Sequence, residues 1–109
     1  MINPKEALKI AKNNPYKGTA KQIAKLSISI AQSAQIFDPS VFALYKEKIN
    51  ISPKIFSKLK VIGETLLEVK EQERNLLINQ FPDSYTTIHI LCSISTKDLV
   101  RSAEKGDIT

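Results

Sequence analysis

Phe42-Ala43-Leu44-Tyr45-Lys46-Glu47-Lys48-Ile49-Asn50-Ile51-Ser52-Pro53-Lys54-Ile55-Phe56-Ser57-Lys58-Leu59-Lys60-Val61-Ile62 reads as two helices meeting at a sharp turn. Before the turn, Val41, Leu44 and Tyr45 recur at helical spacing; after it, Ile55, Phe56, Leu59 and Ile62 make a second apolar stripe. The first helix ends near Lys48 and Ile49-Asn50-Ile51 forms the turn. Ser52-Pro53 then starts a new helix, the serine offering an acceptor to free amides and the proline a backbone angle suited to the first helical position. Tyr45, Ile49, Ile51, Phe56 and Leu59 stand where apolar side chains lock two helices at a steep angle. A turn this short favours a residue able to adopt the left-handed conformation, which Asn50 reaches at lower cost than most, though glycine would do so better. Lys46 sits where a small residue is often wanted, so its stem must lie flat and its ammonium reach outward.

Upstream, Asp38-Pro39-Ser40 is a boundary with an acidic cap and a proline at the next helical start. Gly18-Thr19 opens a longer helix, expected to run to about Phe37, with Ala20, Ile23, Ala24, Ile28, Ile30, Ala31 and Ala34 on or beside one face. Ala20, Ala24, Ser27, Ala31 and Ala34 form a small-residue face, suited to close approach by a helix of the same core or by a second copy in a homodimer. Asn3 and Pro4 start a short first helix, which Asn13-Asn14-Pro15 stops.

Downstream, Gly63 reads as the end of the helix begun at Pro53, or as a kink in it. The charged segment from Glu64 to about Asn79 fits one helix or two short ones. Phe81-Pro82-Asp83-Ser84 breaks the chain and leads into Tyr85, Ile88, Leu91 and Cys92 at helical spacing. The β-branched Thr86, Thr87, Ile88, Ile90 and Ile94 leave a strand open there, with helix the favoured reading. Ser95-Thr96-Lys97-Asp98 matches a capping box with Asp in place of Glu, and Gly106 closes a last helix carrying Leu99, Val100 and Ala103. The expected fold is all-α: a small single-domain bundle of about five to six helices over residues 1–109, containing a helix-turn-helix at about 40–63.

Composition excludes several classes of function. At 109 residues, with 42% hydrophobic and 25% charged side chains, the chain has the make-up of one folded domain. Its most apolar stretch, residues 23–37, is broken by Lys25, Ser27, Ser29, Gln32, Ser33 and Gln35, so no membrane span is expected. The first residues lack the pattern of a secretory signal, and a cytoplasmic location is the expectation. The single cysteine, Cys92, has no partner for a disulfide or a metal site, and His89 stands alone between Ile88 and Ile90; neither is given a function. No glycine-rich phosphate loop is present, and no cofactor, metal or catalytic residue is expected.

Charge is divided unevenly. Up to Lys60, eleven lysines face Glu6, Asp38 and Glu47, a balance of +8; from Val61 onward, five cations face eight acids, a balance of −3. The basic half is the one suited to a polyanion, although excess lysine also serves solubility. Turning Ile55, Phe56, Leu59 and Ile62 inward directs Lys54, Ser57 and Val61 outward, with Lys58 and Lys60 flanking. Such a face would suit a DNA major groove: Ser52, Lys54, Ser57, Lys58 and Lys60 are the candidate contact residues, with the amides of residues 52–54 meeting a phosphate. It carries no Arg, Asn or Gln for a bidentate base contact, so a sequence-tolerant DNA-binding protein is expected.

The run from Ile51 to Gly63 resembles the recognition region of helix-turn-helix proteins of phages and plasmids, including the central domain of ParB-type partition proteins. Phe81-Pro82-Asp83-Ser84-Tyr85-Thr86-Thr87-Ile88 and Ile94-Ser95-Thr96-Lys97-Asp98-Leu99 are similar to the helical pair that follows there, so the resemblance spans roughly Val41 to Thr109. It implies a DNA-binding regulator of a mobile element. The ParB-type nucleotide and clamp motifs are not in this sequence, and no partition or nucleotide-hydrolysing activity carries over. Double-stranded DNA is therefore the expected partner. The alternative is a small adaptor or inhibitor that binds a protein, using the lysine-rich half to occupy a partner's acidic surface or nucleic-acid site.

Overall fold

Asn3 begins the first helix by accepting the Glu6 amide on its side-chain oxygen at 2.8 Å, and Pro4 follows at the position where a missing amide costs nothing. The computed structural model describes residues 2–107; Met1, Ile108 and Thr109, at the ends of the expected domain, lie outside the described residues. The chain is all-helical: α1 (Pro4–Asn13), α2 (Ala20–Ile36), α3 (Pro39–Ile49), α4 (Pro53–Glu68), α5 (Glu71–Gln80), α6 (Tyr85–Leu91) and α7 (Thr96–Glu104).

Most starts have a local cause; the exception is Asp38, expected as an acidic cap, which makes no side-chain cap bond on α3 and leaves Pro39 to mark that start. Thr19 and Gln22 form a reciprocal capping box on α2, and Asp83, from the loop after α5, adds a carboxylate oxygen 2.7 Å from the Ala20 amide. The hydroxyls of Ser52, Ser84 and Ser95 accept from the amides of Ile55, Thr87 and Asp98, opening α4, α6 and α7. Residues 85–91 are therefore helical, and the β-branched run there does not form a strand.

α2 and α4 are the central pair. Ala20, Ala24, Ser27 and Ala31, three to four residues apart, are buried along α2, and Gly63 of α4 lies against the Ser27 backbone. A β-carbon at Gly63 would collide with the Ser27 carbonyl and stand 2.9 Å from the Ala31 β-carbon. The small-residue face of α2 is thus used inside this chain. It also corrects the expectation that Gly63 ends its helix: α4 continues to Glu68, and the glycine is where the two backbones meet.

The real break comes later. The Glu73 carboxylate accepts the Lys70 amide at 3.1 Å, and Arg74 Nε donates to the Leu66 carbonyl at 2.8 Å, satisfying the end of one helix and the start of the next. This division of residues 64–80 gives seven helices among the described residues, more than the five to six expected.

Ile23, Leu26, Ile30, Leu59, Ile62, Leu66, Leu77, Ile88 and Leu99 are fully buried in one cluster contributed by α2, α4, α5, α6 and α7. Each such side chain favours the fold by roughly 1.5–3 kcal/mol relative to exposure. Cys92 is buried in the same cluster, and burial raises its thiol pKa to about 11 against a weaker lowering by the Thr65 hydroxyl. Among the described residues no helix is long and apolar enough to cross a membrane, and no three His, Cys, Asp or Glu side chains gather to hold a metal ion.

Candidate nucleic-acid interface

The connection between α3 and α4 is Asn50-Ile51-Ser52, one residue later than expected. Asn50 takes the left-handed conformation, φ 53° and ψ 46°, so the chain reverses there without glycine. Four aromatic rings fix the angle that follows. Phe56 of α4 packs edge-on against Phe42 at 5.7 Å and Tyr45 at 6.5 Å, and Tyr45 in turn meets Phe37 at 6.0 Å. Lys46 keeps its exposed position by lying over Phe56, its Nζ 5.0 Å from the ring centre, so the lysine that stands where a small residue is often wanted covers the junction.

Below this junction lies a small polar cluster, Ser29, Ser33 and the Tyr45 hydroxyl, whose serines the sequence marks only as interruptions in α2. Ser27, Ser29, Ser33 and the Tyr45 hydroxyl are buried without a hydrogen-bond partner of standard geometry. Burial raises the Tyr45 pKa, opposed by the nearby Ser29 and Ser33 hydroxyls, which lie close without forming well-directed hydrogen bonds.

On α4, Phe56, Leu59, Ile62 and Leu66 are buried while Lys54, Ser57 and Val61 are exposed, as helical spacing requires. Lys58 and Lys60 are half-buried. At about 100° per residue they stand about 160° apart, one on each side of the Ser57–Val61 ridge. The cationic strip therefore occupies the first two turns of α4, and the exposed Glu64 bounds it. Ser52 is exposed, but its hydroxyl is engaged with the Ile55 amide at 3.3 Å. Pro53 has no amide to offer, so the expected phosphate contact at residues 52–54 narrows to the amides of Ser52 and Lys54.

The fold adds cations that sequence spacing did not connect. Lys12 of α1 and Lys48 of α3 line one groove of about 340 Å³ with Leu8, Ala11 and Ile49, beside the entry to the Asn50 turn. Thirty-six residues separate the two lysines, and only the packing of α1 on α3 brings them together. Comparison with protein-family models, with curated proteins and with solved structures finds no match to this chain.

Proposed function

We propose that α3 and α4 act as a helix-turn-helix and that the chain binds duplex DNA with little sequence preference, as a regulator of a phage or other mobile element would. The observation that carries this reading is the face of α4. Its first two turns hide the apolar stripe and present Lys54 and Ser57 to solvent with Lys58 and Lys60 alongside, beyond a three-residue turn locked by aromatic rings. A helix held in this way can enter a major groove while lysines neutralise phosphates on either side. Lys12 of α1 and Lys48 near the end of α3 supply further cations beside the entry to the turn, available to neighbouring phosphates.

Base contacts are few. Ser57 can donate to or accept from a base edge, and Val61 offers only apolar contact, so affinity comes mainly from the phosphates. Fluorescence anisotropy of a labelled random-sequence duplex, titrated at two salt concentrations, tests the proposal. Binding should weaken steeply as salt rises, because each neutralised phosphate releases a counterion. No binding at low salt would leave the alternative, a protein-binding adaptor or inhibitor.

A further inference from the structure

We infer that the exposed flank of α2, bounded by α1 on one side and α5 on the other, docks an acidic amphipathic helix of a protein partner. Two grooves of about 480 and 500 Å³ run along this flank and share Lys25 and Ile28 as their common wall. Their cations are Lys9, Lys21, Lys25 and Arg74. Among the described residues lining them there is no Asp or Glu. Three isoleucines, Ile10, Ile28 and Ile78, are half-buried between the exposed lysines and form an apolar floor beneath a positive rim.

The combination selects the occupant. A cationic rim alone would accept any polyanion, but half-buried isoleucines gain only by meeting apolar surface, which a sugar-phosphate backbone does not present. No aromatic ring lines either groove on which a base could stack. A helix with leucine-like side chains on one face and carboxylates on its edges meets both demands, and Gln32, Asn75 and Asn79 provide amides for its polar margin. From Lys21 to Gln32 the flank runs about 16 Å, close to three helical turns.

This surface is distinct from the α4 face. Ala20, Ala24, Ser27 and Ala31 turn toward the core, while Lys21, Lys25, Ile28 and Gln32 each follow one of them by one residue, about 100° round the helix. A partner docked here would leave Lys54 and Ser57 free, so protein and DNA could be held together.

The test uses the full chain and a labelled synthetic helical peptide of about 14 residues, leucine on one face and glutamate on the other. Anisotropy should show saturable binding, and amide chemical shifts should move within residues 9–14, 21–32 and 74–79. Lys21→Glu with Lys25→Glu should weaken binding roughly tenfold or more, and Ile28→Ser should weaken it comparably. Lys54→Glu with Lys58→Glu should leave it within about twofold, since those side chains lie on another face. Thermal melts of each variant separate lost docking from lost folding. The inference is overturned by absence of saturable binding, by equal binding of polyglutamate with Ile28→Ser silent, or by duplex DNA producing the same shifts at this flank.

Discussion

Gly63 of α4 faces the Ser27 carbonyl of α2 with no room for a β-carbon between them. Two opposing effects meet at this position. In a helix interior, Gly→Ala favours folding by about 1 kcal/mol through backbone entropy. Here the added methyl must push apart two backbones at the centre of the fold, where overpacking costs typically 1–3 kcal/mol, occasionally more.

Gly63→Ala should therefore destabilise the chain by up to about 2 kcal/mol net, seen as a lower urea midpoint. A higher midpoint would mean that local helix propensity governs the position and that the α2–α4 contact yields.

Phe56 is 3% exposed and meets rings of both Phe42 and Tyr45. Phe56→Ala should cost roughly 3–5 kcal/mol in equilibrium denaturation, because it empties the junction of α3 and α4. A near-neutral result would show that α4 rests on another face.

Asn50 holds the turn in the left-handed region. Asn50→Gly should be neutral or slightly stabilising in thermal melts, and Asn50→Val should cost about 1–2 kcal/mol, since a β-branched residue resists that conformation. Equal midpoints for the two variants would contradict the role given to the turn.

Burial raises the Cys92 thiol from 9.0 to about 11. The unfolded chain loses that proton first, so the thiol's contribution is intact below pH 9 and is lost as pH rises toward 11, amounting to about 3 kcal/mol at most. Tyr45 shifts in the same direction and also weakens the fold under alkaline conditions. Urea midpoints measured across this window should fall more steeply for the parent chain than for Cys92→Ala; parallel curves would show that the thiol is not held neutral by the fold.

The parts of the fold legible in sequence are those decided within a few residues. Asn3, Thr19, Ser52, Ser84 and Ser95 each announce a helix because the cap and the amide it satisfies are neighbours. Asn50 announces the turn for the same reason. Gly63 misleads because its cause lies on α2, thirty-six residues away, while its local chemistry is that of a helix breaker. The break after Glu68 contains neither glycine nor proline, and depends on Glu73 and Arg74 reaching back to Lys70 and Leu66.

The same distinction applies to the surfaces. The strip of Lys54, Ser57, Lys58 and Lys60 follows from helical periodicity once Phe56 and Leu59 are turned inward. The flank joining Lys9, Lys25 and Arg74 draws on three helices and has no local signature. Nor does the pairing of Lys12 with Lys48, which depends on how α1 lies on α3.

The most direct test is a titration of labelled random duplex DNA with the parent chain and with the Lys54→Glu, Lys58→Glu variant, at two salt concentrations, beside thermal melts of both. The parent should bind with strong salt sensitivity, and the variant should lose that affinity with its midpoint almost unchanged, since Lys54 is exposed and Lys58 only half-buried. Undiminished binding by a folded double variant would contradict the assignment of this helix face to DNA.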